Sequence, residues 1–128
     1  MIDLSPEHDE IARQIVDAAL AVHKALGPGL LESVYEQCLA YELRSRSLRV
    51  ALQVPLQVHY REVQIEAGFR IDMLVNDLVL LEIKAIERIL PVHEAQLLTY
   101  LKLSRKHLGL LINFNVPLIK DGIRRLIG

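Results

Sequence analysis

Phe69-Arg70-Ile71-Asp72-Met73-Leu74-Val75, then Asn76-Asp77, then Leu78-Val79-Leu80-Leu81-Glu82-Ile83-Lys84-Ala85, is the stretch that decides the fold. Two runs rich in Val, Ile and Leu joined by an Asn-Asp pair predict two β-strands and a tight hairpin turn. Side chains alternate across a strand, so Glu82 and Lys84 point to one side and Ile83 to the other. Pairing outward from a turn centred on Asn76 and Asp77 sets Asp72 near Leu81 and within about one residue of Glu82. Two carboxylates then converge where apolar residues are expected, with the backbone carbonyl of Ile83 nearby. Magnesium takes hard oxygen ligands in an octahedron and keeps several waters, so this donor set suits it. A lysine beside such a site can hold an attacking water or offset charge that develops on a phosphate. Taken alone, Asp…Glu-x-Lys is more often an ion pair on the exposed face of a sheet, and the flanking segments have to decide.

Upstream lies Gly27-Pro28-Gly29-Leu30-Leu31-Glu32-Ser33-Val34-Tyr35-Glu36, with Gly29, Glu32 and Tyr35 at i, i+3 and i+6 as a helix begins. Downstream, Gln96 and Tyr100 in His93-Glu94-Ala95-Gln96-Leu97-Leu98-Thr99-Tyr100 are four apart and share a helical face. With Leu111-Ile112-Asn113-Phe114-Asn115-Val116, these segments make the chain resemble the GxxExxY family of small bacterial and archaeal proteins, a branch of the PD-(D/E)XK nuclease-like superfamily. The resemblance runs from Ile11 to the C-terminus. It implies a restriction-endonuclease-like core, Mg²⁺ or Mn²⁺ as cofactor, and DNA or RNA as partner. Position by position, it makes Asp72 and Glu82 metal ligands, Glu32 the first-helix acid that completes the shell, and Lys84 the catalytic lysine. Gln96 and Tyr100 match the Gln-x-x-x-Tyr element of the RecB-like and phage exonuclease-like branches, where it helps place the substrate phosphate. Ile71 stands where the superfamily's name puts a proline.

Composition sets the outer bounds. A chain of 128 residues with 52% apolar content forms one domain, 1–128, with a single core. Mean hydropathy of +0.26 is high for a small protein, yet no uncharged run approaches the roughly 18 residues of a membrane span. The surplus apolarity goes to a dense core or a subunit interface, and a homo-oligomer, a dimer, is expected. Met1 to Glu7 has neither a basic nor an apolar leader region, so a cytoplasmic protein is expected. The single cysteine, Cys38, has no internal disulfide partner and reads as a buried, inert thiol. A net charge of −1 argues against tight, nonspecific DNA binding. Basic residues nevertheless cluster locally at Arg44, Arg46 and Arg49, at Lys102, Arg105 and Lys106, and at Arg124 and Arg125. Two Phe, four Tyr and no Trp leave little material for a single-strand stacking platform.

Period and punctuation give the remaining elements. Ser5 before Pro6 starts a helix over 6–26, which Gly27-Pro28-Gly29 stops. A second helix is expected from Leu30 to Ser47, with Glu32 and Glu36 on one face and Glu36 read as solvent-facing. Leu52 to Tyr60 and Val63 to Glu66 read as a strand hairpin, ahead of the two strands quoted above. Val92 to Ser104 reads as a third helix after Pro91, and Leu108 to Phe114 as a strand buried on both faces after a parallel crossover. Ile119 to Ile127 reads as a closing helix. The order ααββββαβα gives an α/β fold, a mixed sheet of about five strands flanked by helices.

His93 either borders the site or helps start its helix, and Asn113 and Asn115 suit turn and capping roles. The leading function is a divalent-metal-dependent phosphodiester hydrolase acting on DNA or RNA. The alternatives are a noncatalytic binding or assembly module on the same fold, and a hydrolase of small nucleotides.

Overall fold

The computed structural model describes residues 4–128, so Met1 to Asp3, part of the segment read for a leader, lie outside the described residues. Helix α1 spans Pro6–Leu26 and α2 Glu32–Ser45. Strands β1 Val50–Tyr60, β2 Val63–Val75 and β3 Val79–Lys84 follow, then α3 Pro91–Ser104 and β4 Leu108–Asn113. A 3₁₀ turn, Ile119–Gly122, leads into β5 Ile123–Ile127. The five strands form one sheet in the order β1-β2-β3-β4-β5, antiparallel except for the parallel β3–β4 pair. The parallel crossover through α3 is the expected one. Among the described residues, no helix is long and apolar enough to cross a membrane.

Helix α1 begins as its sequence dictates. The Ser5 side chain accepts the His8 N–H, and His8 Nδ1 accepts the Ser5 N–H at 3.0 Å, so two otherwise orphaned donors are satisfied. Helices α1 and α2 cover one face of the sheet, burying Ile15, Leu39 and Leu43 against Met73, Val75, Val79, Leu81, Ile83, Leu110 and Ile112. Helix α3 covers the other, where Leu97, Tyr100 and Leu101 meet Leu56, Leu74, Leu80 and Leu111.

Two corrections change the element order to ααβββαββ. Val63 to Glu66 and Phe69 to Val75 are one strand, because Gly68, at φ 76, absorbs a bulge where the register slips between Leu56 and Val58. The closing helix is instead β5, which pairs Ile123 with Ile112 and Ile127 with Leu108. Ladder bonds that cover the open edge of β4 outweigh the helical spacing of Ile119, Ile123 and Ile127. Gly122 was the signal: a Cβ there would stand 2.1 Å from the Asn113 carbonyl oxygen, so the chain's return to β4 requires glycine.

Beyond the ends of β3, β1 and β2 continue alone as a two-stranded ribbon. Its pairs Leu56–Phe69, Val58–Ile65 and Tyr60–Val63 give it an apolar face, and Phe69 meets Tyr100 of α3 with ring centroids 6.2 Å apart.

Candidate active site

The β2–β3 turn puts Asn76 and Asp77 at φ 52 and 53 and closes with the Leu78 N–H donating to the Val75 carbonyl at 3.0 Å. Leu78 is nevertheless left outside the ladder, which opens at Val75↔Val79. This single extra residue shifts the expected register, so Asp72 stands opposite Glu82 rather than Leu81. The ladder ends at Met73↔Leu81, one residue short of that pair. There the carboxylates replace backbone bonding. The Asp72 N–H donates to Glu82 Oε1 at 3.2 Å, and the Ile83 N–H donates to Asp72 Oδ2 at 2.8 Å.

Glu82 is 5% exposed. Burial first, and the facing Asp72 carboxylate second, push its pKa up to about 8, against the partial relief of the Asp72 N–H and the Lys84 ammonium. Burial and the facing carboxylate thus favour the protonated form of Glu82. Lys84 is half-buried, and among the described residues it forms no ion pair.

The Gly29, Glu32, Tyr35 pattern has a structural reason. Gly27 and Gly29 take φ of 69 and 100 in the α1–α2 loop. The buried Tyr35 pins that loop: its hydroxyl donates to the Gly27 carbonyl at 2.6 Å and accepts the Leu30 N–H at 3.1 Å, while its ring stacks on Phe114 at 4.5 Å. Glu32 is thereby fixed as the first residue of α2, where a carboxylate also benefits from the helix dipole. Burial raises the pKa of Glu32, as does Asp72, while Lys84 and the Ala85 N–H lower it. Glu32, Ser33, Glu36, Gln53, Asp72 and Ile83 line one cleft of about 200 Å³.

On the α3 side, the Gln96 amide donates to the Tyr100 hydroxyl at 3.1 Å. Burial raises the pKa of Tyr100, followed by Glu82 and Asp72, so the phenol lies within the field of the carboxylate pair. Charge coupling links Glu32 to Lys84 and Asp72, Glu82 to Asp72 and Lys84, and Tyr100 to both central carboxylates, while Gln96 bonds Tyr100. His93 starts its helix, accepting the Leu90 N–H at 2.9 Å. Asn113 and Asn115 tie down the chain after Lys84, both donating to the Ile86 carbonyl, while Asn113 Oδ1 accepts the Ile86 N–H at 3.0 Å.

One further residue departs from its sequence reading and another went unread. Glu36 does not simply face solvent: it accepts from Gln53 Nε2 at 2.7 Å, and burial, Asp72 and Glu32 raise its pKa. Its spacing of four from Glu32 was the available signal. Gln53 is the other, a polar residue between Leu52 and Val54 in the middle of a strand.

Among the described residues, no three His, Cys, Asp or Glu side chains already converge as a closed cation cage. The reason is local, since Asp72 and Glu82 are turned to backbone amides of the facing strands. The donor chemistry fits a hard divalent cation all the same. Three carboxylates, Glu32, Glu36 and Asp72, line the cleft and Glu82 faces Asp72, and a cation would relieve the mutual repulsion that helps raise the pKa values of Glu32, Glu36 and Glu82.

A mixed five-stranded sheet with two helices on one face and one on the other, and acids at the parting of its central strands, defines a restriction-endonuclease-like α/β domain. A family model described as the PD-(D/E)XK nuclease superfamily matches residues 9–126, and the chain belongs to that superfamily. No curated protein and no solved structure matches it.

Proposed function

We propose that this protein is a divalent-metal-dependent nuclease that hydrolyses phosphodiester bonds of DNA or RNA. The observation that carries the reading is the facing Asp72–Glu82 pair at the end of the β2–β3 ladder, with Lys84, which forms no ion pair among the described residues, two positions on from Glu82. Asp72, Glu82, Glu32 and the Ile83 carbonyl would hold Mg²⁺ or Mn²⁺. Such an ion, when bound, stabilises charge on the phosphate and acidifies a bound water. Lys84 orients the hydrolytic water and faces the negative charge that develops at phosphorus. Gln96 and Tyr100 hold the substrate backbone through their amide and hydroxyl.

The reading includes a cytoplasmic setting and a homodimer. The latter accords with a mean hydropathy of +0.26 and with Tyr60, Val63 and Ile65 left exposed on the ribbon. A noncatalytic assembly module on the same fold is the second reading, favoured by the engagement of both central carboxylates with backbone amides. Incubation of single- and double-stranded DNA and RNA with Mn²⁺ separates them. Cleavage that Lys84→Ala removes supports the nuclease, and wild-type protein that cuts none of the four contradicts it.

A further inference from the structure

Gln53 adopts a backbone conformation that is unusual inside a strand. Its φ is 52, in the left-handed region. The other non-glycine residues there, Ser47, Arg61, Asn76, Asp77 and Arg105, all occupy turns or helix ends. Gln53 alone among the described residues is inside a strand, flanked by the paired positions Leu52↔Met73 and Val54↔Ile71. Its own side chain is exposed, while the strand changes faces at it: Leu52 packs with the core under α1 and α2, and Val54 with the core under α3. Left-handed geometry costs free energy in every residue with a Cβ and persists where the surroundings demand it, typically at functional sites.

The surroundings here are specific. The skipped ladder position opposite Gln53 is Asp72, so the kink leaves Asp72 unpaired toward β1 just as the open ladder leaves it unpaired toward β3. The Gln53 carbonyl is held by Arg70 Nη1 at 3.4 Å, and its side-chain amide donates to Glu36 Oε1 at 2.7 Å. Glu36 is one helical turn beyond Glu32 and lines the same cleft. A single residue therefore frees the central carboxylate on one side and reaches the acid-bearing helix on the other.

We propose that Gln53 is a positioning residue of the nuclease centre, tethering the first turns of α2 through Glu36 to the β1 position opposite Asp72 and so setting the spacing between Glu32 and Asp72. This rests on the nuclease reading above. The tether acts through Glu36 as a hydrogen-bond acceptor, not through its charge.

Glycine takes a positive φ without strain, so Gln53→Gly removes the amide while easing the backbone. The melting temperature of Gln53→Gly should equal or exceed that of the wild type, while Mn²⁺ affinity by calorimetry falls about tenfold, as for other residues that orient ligands from behind. Glu36→Gln keeps an acceptor for the Gln53 amide and should weaken Mn²⁺ binding less than Glu36→Ala, which should match Gln53→Gly. Unchanged Mn²⁺ affinity in Gln53→Gly overturns the tether, and so does a loss of affinity that only tracks a lowered melting temperature. Wild-type protein that binds no Mn²⁺ overturns the nuclease reading itself, and the tether with it.

Discussion

β3 and β4 lie side by side and parallel, six residues each and almost wholly buried, yet they use their interior positions differently. Where β4 has Leu111, β3 has Glu82, and where β4 has Asn113, β3 has Lys84. Asn113 is fully satisfied, donating to the Ile86 carbonyl and accepting the Ile86 and Asn115 N–H groups. Glu82 accepts only one amide and faces another carboxyl; burial first, and that facing carboxylate second, push its pKa up to about 8. At roughly 1.4 kcal/mol per unit, such a shift corresponds to a few kcal/mol of folding free energy forgone when the group ionises. Strand β4 is built for stability, and β3 gives up stability to concentrate charge at one point.

The largest effect expected from this contrast is on activity. Lys84→Ala should lower the hydrolysis rate by about a thousandfold, the scale of losing a group that faces transition-state charge. Its melting temperature should stay close to that of the wild type. Glu82→Leu should be equally inactive but more stable in thermal unfolding, because an apolar side chain replaces a buried, poorly paired acid. On the β4 side the balance reverses. Leu111→Ala should cost about 2–5 kcal/mol in urea unfolding through the cavity it leaves, with cleavage retained by the fraction that stays folded.

A pH series sharpens the same contrast. The folded protein holds the Glu82 proton up to about pH 8, whereas the unfolded chain releases it near 4.5. Within that window the native state binds more protons, so stability must fall as pH rises and level off above it. Denaturant unfolding in EDTA should therefore give a lower stability at pH 9 than at pH 5, and Glu82→Gln should flatten the slope. The smallest effect lies away from both strands. Tyr35→Phe should cost about 1–2 kcal/mol by the same assay, since it leaves the Gly27 carbonyl and Leu30 N–H without the hydroxyl they share.

Strand periodicity made Asp72, Glu82 and Lys84 legible, because alternation assigns a side chain's face from its position alone. It did not give the register, which depended on Leu78 being left out of the ladder. Helical spacing made Glu32, Gln96 and Tyr100 legible in the same way. The fifth strand was hidden because Ile119, Ile123 and Ile127 fit a helix, and only the partner strand β4 decides otherwise. Gln53 was hidden more deeply, since its part depends on a backbone angle and on Glu36 of another element. Nothing in residues 50–60 alone encodes either.

Calorimetric titration of Mn²⁺ into the wild type, Asp72→Asn and Glu82→Gln decides whether the Asp72–Glu82 pair forms a divalent-cation centre. Binding to the wild type that each substitution weakens at least about tenfold is the expected result. Absence of wild-type binding, or equal binding by all three proteins, would contradict it.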